Sequence, residues 1–374
     1  MKTPQAGLLG FCIALACAGI SARELVVAQV GPLSGPLAGN GVANHQGSQA
    51  CIDEANAAGG INGQPLRLIG EDDQYKPAET VRKLKEVAGR EQPVAFLNLL
   101  GSANVKAVLE ENVLDALRIP VVGVTPGADA LRNPGSPWLF HIHANDTAQL
   151  KRILQHLATL GLRRIAVVYQ DIPFGHGGMK FIEGLAPSLQ MTITGRVPVA
   201  SAADALRAEA EKLRATNAQA YIMVLVPNSG SSLVRDVRQL GDATPIYGMS
   251  YVPVHGILEK VGQAKALGVG LAQVTPNTFS SSTGLSRQFR AAMAKHAPAG
   301  TASTQLHLTG YLSCRVLVEA LKLTPSPITP IKLQAALRRL RADFGGYVVE
   351  FSGGNEGSRY VDIGVVTRDG RLLY

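Results

Sequence analysis

Short apolar runs rich in β-branched residues alternate with longer amphipathic stretches along the first 125 residues of the chain. Such runs predict buried strands, and each is followed by residues with helical spacing. The predicted strands cover residues 26–30, 66–69, 94–100 and 119–124. The helix after the first strand carries small residues on one face, among them Gly47, Cys51 and Ala58. This repeated alternation predicts a parallel sheet with helices on both faces.

A second series of the same plan follows a short extended piece at residues 138–143. Its predicted strands cover residues 165–169, 193–197, 221–226, 246–248 and 269–274. Its predicted helices cover residues 147–160, 202–215 and 233–240, and residues 171–178 are predicted as a loop. The two series share a plan without being close sequence repeats.

The end of the chain breaks this alternation. Three successive helices are predicted at residues 285–296, 305–323 and 331–340, before two last strands at 347–351 and 360–366. Helices in a row cover a sheet rather than extend it. We therefore expect an α/β protein of two lobes. Lobe 1 comprises residues 23–141 and 276–341, and lobe 2 comprises residues 142–275 and 342–374. The chain would cross between them near residues 141–145, 274–277 and 342–345.

The stretch from Gln29 to Gly41 runs from a strand through a Gly- and Pro-rich loop into a helix. Backbone N–H groups and the positive end of a helix are exposed there, at the edge of an open α/β sheet where ligands bind. Ser34 and Asn40 are predicted to face that ligand. Residues 39–44 begin like a dinucleotide fingerprint but lack its last glycine, which argues against a dehydrogenase.

Other catalytic signatures are missing from the sequence. It has no phosphate-binding loop with a Gly-Lys-Ser/Thr end, no His-Glu-x-x-His zinc motif and no Gly-x-Ser-x-Gly nucleophile. His141 and His143 share one face of an extended segment near Asp146, but spacing supplies no further metal ligand. They are interpreted as residues of a hinge strand, and no catalytic or metal site is predicted.

Residues 1–22 differ in composition from the rest of the chain. Lys2 is their only charge, and residues 8–20 are apolar, as in a secretory signal peptide cleaved after Ala22. Residues 14–17 are a poor version of a lipoprotein box, so a lipid anchor on Cys17 is a less favoured alternative. No other segment is apolar and long enough to insert stably in a membrane. We expect a periplasmic protein.

The remaining cysteines, Cys51 and Cys314, lie in predicted helices among small apolar residues. Export permits a disulfide between them, and buried free thiols suit the same surroundings. The net charge is +8, but the basic residues are dispersed, and the densest cluster, at residues 338–341, ends an amphipathic helix. A nucleic-acid-binding protein would concentrate them in a patch.

Several motifs together resemble one family. These are the export signal, GPLSGP at residues 31–36, NAAGGING at 56–63, EDD at 71–73 and Phe174-Gly175. They resemble the type I periplasmic solute-binding proteins, and most of all the leucine/isoleucine/valine-binding proteins of ABC importers. The resemblance implies two Rossmann-like lobes with a ligand cleft between them. It implies a small-molecule ligand and a membrane permease as partners, and no cofactor.

The resemblance also implies which residues contact the ligand. In lobe 1 the loop after the third strand, Gly101-Ser102, would bind a ligand carboxylate, and the next loop has Asp129 where the family has threonine. In lobe 2, Phe174 replaces a tyrosine and Ser250 a glutamate that pairs with the ligand ammonium. The predicted contacts are Ser34, Asn40, Gly101, Ser102, Thr125, Gly127, Asp129, Phe174, Pro227, Ser250 and Tyr251.

The replacement of that glutamate leaves two ligand classes open. A buried ammonium needs a counter-charge or several acceptors. Either Asp129 supplies it from the other lobe, or the ligand is an organic acid without an ammonium, and aromatic acids belong to this second class. The predicted function is capture of an amino-acid-like or carboxylic-acid ligand for an ABC importer. A sensor subunit of a signalling receptor and an exported α/β enzyme are the alternatives.

Overall fold

The computed structural model describes residues 23–35, 37–200 and 203–374. The predicted signal peptide and Cys17 lie outside these residues. The strands are Leu25–Gly31 (β1), Leu66–Asp72 (β2), Ala95–Leu99 (β3), Val121–Val124 (β4), Leu139–Phe140 (β5), Arg164–Gln170 (β6), Thr192–Val199 (β7), Ala220–Val224 (β8), Ile246–Gly248 (β9), Gly270–Gln273 (β10), Arg341–Asp343 (β11), Val348–Glu350 (β12), Asp362–Val366 (β13) and Leu372–Leu373 (β14).

Helices follow most of these strands. The α-helices are Ala38–Ala57 (α1), Pro77–Glu91 (α2), Ser102–Glu110 (α3), Val113–Leu117 (α4), Asp146–Thr159 (α5), Pro173–Leu185 (α6), Arg207–Ala215 (α7), Pro227–Gln239 (α8), Val254–Ala266 (α9), Gly284–His296 (α10), Gln305–Lys322 (α11) and Pro330–Leu337 (α12). Short 3-10 helices cover Asp129–Leu131 and Ala186–Leu189. Among the described residues, no helix combines the length and the apolar character needed to cross a membrane.

The first sheet is parallel throughout, in the order β2-β1-β3-β4-β5. Its strands bury side chains on both faces, as a parallel sheet covered by helices requires. Val27 of β1 belongs to one apolar cluster, and Ala28 and Val30 belong to the cluster on the opposite face. The alternation predicted for the first 125 residues is confirmed.

The second sheet has the order β14-β13-β10-β9-β8-β6-β7. Strands β6 to β10 run parallel, and β13 and β14 are added in antiparallel pairs at one edge. Val168 packs in the cluster on one face, and Ile165 and Val167 pack in the cluster on the other. The chain therefore forms the two α/β lobes that the sequence predicts.

The helices α10 and α11 return to the first lobe and pack on α1. The backbones of α1 and α11 approach closely, because a Cβ atom on Gly47 would lie 1.9 Å from the carbonyl oxygen of His307. A disulfide between Cys51 and Cys314 joins the same two helices, with a Cα–Cα distance of 6.1 Å. Of the two states that the sequence leaves open for these cysteines, a disulfide or two buried free thiols, the structure has the disulfide.

The hairpin of β11 and β12 belongs to the first lobe. Its apolar residues Phe344, Tyr347 and Phe351 pack in a first-lobe cluster, and Phe351 meets Phe140 edge to face at 5.1 Å. The last crossing therefore lies between β12 and β13, whereas the sequence placed it at residues 342–345 and assigned all of 342–374 to the second lobe. These large aromatic side chains are buried only if the hairpin stays on the first lobe.

The three crossings contact one another. The His141 N–H donates to the carbonyl oxygen of Asn355 at 2.8 Å, and the Gly357 N–H donates to the carbonyl oxygen of His141 at 2.8 Å. The Tyr347 hydroxyl donates to the carbonyl oxygen of Ile142 at 2.7 Å and lies 3.0 Å from that of Val274. These bonds join the crossings into one hinge.

Three local predictions differ from the structure. Residues 173–178 form the start of α6 rather than a loop, and α8 begins at Pro227 rather than at residue 233. Proline is tolerated in the first helical turn, where its missing N–H has no partner to lose. Helix α9 was not predicted, because Pro253 precedes it and Gly262 interrupts its helical backbone.

Candidate functional site

Each sheet has one point at which its strand order reverses. In the first sheet this point lies between β1 and β3, and in the second it lies between β6 and β8. Ligands of open α/β sheets bind at the carboxyl ends of the strands beside such points. Ser34 and Ser102 follow β1 and β3, and Phe174 and Pro227 follow β6 and β8. The fold thus brings these four predicted contacts to the ligand-binding edges of the two sheets.

The loop after β1 is held by a carboxylate. Asp72, at the end of β2, accepts hydrogen bonds from the Leu33 N–H at 2.9 Å and from the Ser34 N–H and hydroxyl at 3.2 and 2.5 Å. The Ser34 hydroxyl therefore donates its proton to a hydrogen bond within the protein. Asn40 lies half-buried in the first turn of α1. The next residue must be glycine, because a Cβ atom on Gly41 would lie 2.0 Å from the Pro32 carbonyl oxygen.

The loop after β3 presents an exposed hydroxyl. Gly101, with φ +87°, is the residue that precedes α3, and Ser102 is the exposed first residue of that helix. The residue at the cap position of α3 is therefore Gly101, and Ser102 does not cap the helix. Its hydroxyl and the first N–H groups of α3 form a set of donors of the kind that binds a carboxylate.

Tyr75 is a residue of this site that the sequence analysis missed. It follows β2 in a left-handed conformation, with φ +61°, directly after Gln74, with φ +52°. Its ring lies against Gly101, because a Cβ atom on Gly101 would be 2.6 Å from the ring atom Cε2. Such backbone conformations cost about 1–3 kcal/mol for a non-glycine residue and cluster at ligand sites. The sequence shows only a tyrosine in a polar turn.

The loop after β4 touches the second lobe. The Gly127 N–H donates to the Tyr251 hydroxyl at 2.8 Å, and the Gly127 carbonyl oxygen accepts from the Asp146 N–H at 2.9 Å. A Cβ atom on Gly127 would lie 2.3 Å from the Asp146 carboxylate. The Gly127 N–H, which was predicted to bind a ligand, is therefore bonded to Tyr251 in this conformation.

Thr125 lies just before that contact. Its N–H donates to the Leu99 carbonyl oxygen at 3.0 Å, which continues the pairing of β3 with β4. Its hydroxyl oxygen is buried and has no hydrogen-bond partner among the described residues. A buried polar atom left without a partner costs free energy, so a group that bonds Thr125 is expected to bind favourably.

Tyr251 forms a hydrogen-bonded pair with the buried Asp146 at the junction of the lobes. The Tyr251 hydroxyl donates to the Asp146 carboxylate at 2.6 Å. Burial raises the pKa of Asp146 to about 6, although the bond from Tyr251 acts in the opposite direction. Burial, and then the charge of Asp146, raise the pKa of Tyr251 well above its usual value. The phenol therefore remains a donor to Asp146 and an acceptor for Gly127.

The other predicted contacts of the second lobe lie around Tyr251. The Phe174 ring meets the Tyr251 ring edge to face, with 5.8 Å between centroids. The Ser250 N–H donates to the Gln149 side chain at 2.9 Å, which fixes the backbone beside Tyr251. Pro227 is exposed at the first position of α8. Phe174 lies in the first turn of a helix, so its ring is more rigidly held than a loop residue would be.

Asp129 also bridges the lobes. Its carboxylate accepts a hydrogen bond from the Thr147 hydroxyl at 3.2 Å, and Thr147 lies in the first turn of α5. A carboxylate near a helix N-terminus is favoured by the positive end of the helix dipole. The structure therefore gives Asp129 a partner within the protein.

Arg132 supplies the buried positive charge of the hinge. Its side chain is 2% exposed, donates to the His143 carbonyl oxygen at 3.0 Å, and lies 3.8 Å from the Glu356 carboxylate. Burial, and then Arg132, lower the pKa of His143 to about 3, and the same causes lower the pKa of His141 well below its usual value. Both histidines are neutral at physiological pH.

The site is thus built from hydroxyl groups, backbone N–H groups and aromatic rings. Across residues 23–35, 37–200 and 203–374, no three His, Cys, Asp or Glu side chains are grouped so that they could hold a metal ion. Such donors and rings suit reversible binding of a small polar or anionic molecule with an apolar part.

Comparisons with known proteins agree with this geometry. The Leu/Ile/Val-binding protein of Escherichia coli (strain K12) is 28% identical over 186 residues, which is 47% of this chain and 48% of that protein. The aligned part thus spans about half the length of that relative. The Leu/Ile/Val-binding protein homolog 8 of Brucella abortus (strain 2308) is 24% identical over 91% of this chain and 88% of that protein.

The fold is also found in solved structures. An extracellular ligand-binding receptor from Verminephrobacter eiseniae has a TM-score of 0.87 and 34% identity, covering 94% of this chain and all of that chain. The two-lobed fold predicted from the sequence is therefore confirmed. A family model described as periplasmic binding protein matches residues 24–368. The chain belongs to the periplasmic binding protein family, in its type I branch.

Proposed function

We propose that this chain is the substrate-binding component of an ABC importer, exported to the periplasm, where it captures a small carboxylate and delivers it to a membrane permease. The observation that supports this best is the hydrogen bond from Gly127 to Tyr251, which joins a ligand-edge loop of one lobe to the other lobe. A ligand enters while the lobes are apart, and hinge closure then encloses it. Closure favours uptake only through contacts that the closed state improves.

The ligand carboxylate would be bound by the first lobe. The Ser102 hydroxyl, the first N–H groups of α3 and the unpartnered Thr125 hydroxyl supply donors at the ends of adjacent strands. Phe174 would form the apolar wall on the second lobe. The roles of Ser34, Asn40, Pro227 and Ser250 as contacts remain part of this proposal.

We further propose that the ligand lacks an α-ammonium group. An enclosed ammonium needs a counter-charge or several acceptors, and three carboxylates near the site already accept hydrogen bonds from hydroxyl groups within the protein. These are Asp72 with Ser34, Asp129 with Thr147, and Asp146 with Tyr251. Ser250 carries no charge to replace them. A small organic acid satisfies the donors of the site without requiring another counter-charge.

Matched acids test this ligand class. The purified chain without residues 1–22 is heated with leucine or 4-methylpentanoate, and with phenylalanine or 3-phenylpropanoate, because the members of each pair differ only in the ammonium. A ligand at 100 times its dissociation constant adds about 2.7 kcal/mol to the free energy of unfolding. We expect stabilisation by the acids without ammonium. Stabilisation by the amino acids alone would show that our interpretation of Ser250 is wrong.

Uptake by cells tests the importer role. A strain that lacks this chain should lose high-affinity uptake of the radiolabelled acid that stabilises the protein. The wild-type gene should restore that uptake, and the Ser102→Ala variant should restore it only at higher acid concentrations. Unchanged uptake together with loss of a transcriptional response to the acid would favour the sensor alternative.

A further inference from the structure

Tyr75 is an exposed aromatic residue whose position is strongly constrained. Its side chain is placed at the carboxyl edge of the first sheet, and the residue is 39% exposed. Its hydroxyl makes no hydrogen bond within the described parts of the chain. An exposed tyrosine of a turn would normally avoid a left-handed backbone, because only glycine and asparagine adopt it readily.

Two carboxylates hold the backbone in this conformation. The Tyr75 N–H donates to Asp73 at 2.8 Å, and the Gln74 N–H donates to Asp72 at 2.9 Å. Asp73 is itself 1% exposed and accepts a second bond, at 2.7 Å, from the Thr80 hydroxyl. The conformation is thus imposed by hydrogen bonds, one of which ends on the buried Asp73, and does not depend on burial of the Tyr75 ring.

The same bonds fix Tyr75 relative to the neighbouring loops. Asp72 also binds Ser34 in the loop after β1. Thr80 accepts a bond, at 2.7 Å, from Asn104 in the first turn of α3. The ring rests on Gly101, which has no side chain to displace it. Three ligand-edge loops therefore hold the ring of Tyr75 beside the donors proposed for the ligand carboxylate.

The second lobe offers another ring to the same edge. Phe174 packs edge to face on Tyr251, and the Tyr251 hydroxyl bonds to Gly127 after β4. Strand β4 pairs directly with β3, and the loop after β3 contains Gly101, against which the Tyr75 ring packs. The two rings thus flank the β3 and β4 loops from different lobes. Two aromatic rings in offset or edge-to-face contact gain more free energy than the burial of their apolar area alone supplies.

We propose that Tyr75 stacks on the ligand, and that the ligand is therefore a planar aromatic carboxylate rather than a branched aliphatic one. This inference rests on the proposed function as a carboxylate-binding protein. The carboxylate lies at the β3 and β4 loops, and the aromatic ring of the ligand lies between Tyr75 and Phe174. Tyr75 thereby determines specificity, and the strained turn positions it before the ligand arrives.

Benzoate and cyclohexanecarboxylate test the inference, because they share a carboxylate and a six-membered ring and differ in planarity. Isothermal titration calorimetry of the mature chain should show tighter binding of benzoate. An aromatic pair contributes an amount equivalent to about 2- to 12-fold in affinity. Tyr75→Leu should remove that difference by weakening benzoate alone, and Tyr75→Phe should retain it.

The control is Trp138→Leu, which removes a half-buried ring at the amino end of β5, on the edge of the sheet opposite the site. It should bind both acids as the wild type does. An equal loss for both acids in Tyr75→Leu, or no loss for either, would overturn the inference. A loss of benzoate affinity in Tyr75→Phe as large as that in Tyr75→Leu would also overturn the inference, because the hydroxyl would then be the contact.

The outcomes also separate this inference from the proposed function. If the wild type binds 4-methylpentanoate but neither cyclic acid, the carboxylate site stands and the role of Tyr75 is refuted. If it binds no carboxylate at all, the proposed function itself fails.

Discussion

The contact of Tyr251 with Gly127 should control the balance between the open and closed lobes. Tyr251→Phe removes one hydroxyl and leaves the ring that packs on Phe174. Two hydrogen bonds disappear, at 2.6 Å to the Asp146 carboxylate and at 2.8 Å from the Gly127 N–H. A bond to a charged group contributes about 1.5–3 kcal/mol, and one between neutral groups about 0.5–1.5 kcal/mol.

Tyr251 and Asp146 both belong to the second lobe, so only the bond from Gly127 joins the lobes, and it favours the closed conformation by about 0.5–1.5 kcal/mol. In the open conformation water reaches Gly127, so the loss of this bond falls mainly on the closed state. The ratio of closed to open molecules should therefore fall by about 2- to 12-fold. Ligand affinity should fall as well, because part of the binding energy must then drive closure.

Distance measurements between the lobes provide the assay. Spin labels are attached at Lys106→Cys on α3 and Lys180→Cys on α6, which are exposed residues of different lobes. Cys51 and Cys314 are paired and do not react with the label. Without ligand, the Tyr251→Phe protein should show longer distances by double electron–electron resonance than the protein with Tyr251 intact.

Tyr221→Phe is a matched control. The Tyr221 hydroxyl donates to Asp242 at 2.7 Å, but both residues lie in the second lobe. This variant should lose stability without changing the distances between the lobes. If Tyr251→Phe leaves the distance distribution unchanged as well, the contact does not hold the lobes together and the reasoning is wrong.

Three further predictions concern stability. Burial raises the pKa of Asp146 from 3.8 to about 6. The free energy of unfolding should therefore fall as the pH rises from 4 to beyond 6, by at most about 3 kcal/mol. Urea unfolding should show this decrease in the wild type and not in Asp146→Asn. Loss of the Cys51–Cys314 disulfide should cost about 2–5 kcal/mol, so dithiothreitol should lower the Tm of the wild type and leave that of Cys51→Ala/Cys314→Ala unchanged. Gly47→Ala should destabilise by about 1–3 kcal/mol, as overpacking of a core does, because its Cβ atom would overlap the His307 backbone. Gly89→Ala, in a helix with open space around it, should instead stabilise by about 0.5–1 kcal/mol. If both substitutions changed the free energy of unfolding in the same direction, the close approach of α1 and α11 would be contradicted.

The fold was predictable because its signals are local. The apolar runs that form β1, β3 and β4 are buried on both faces, and small residues on α1 mark where a second helix packs closely. The three successive helices had to cover an existing sheet. The hairpin of β11 and β12 was misplaced, because its burial depends on Phe140, which lies about 200 residues earlier in the sequence.

The site was less predictable, because its geometry depends on contacts between distant residues. Sequence motifs placed Ser34, Ser102 and Phe174 at the correct strand ends. No local pattern reveals that the Tyr251 hydroxyl meets Gly127, or that Asp129 is already bonded to Thr147. Tyr75 was missed for the same reason, since the bonds that force its left-handed backbone come from the fold around it.

The disulfide between Cys51 and Cys314 makes most of the chain a covalent ring. The two cysteines are 263 positions apart, and strands β6 to β10 of the second lobe all lie between them. A protease that cuts the second lobe near the exposed Asp204 therefore yields two fragments that stay linked through the first lobe and separate only after reduction. A nicked molecule thus keeps both parts of its first lobe together, and its second lobe has the opportunity to reassemble on them.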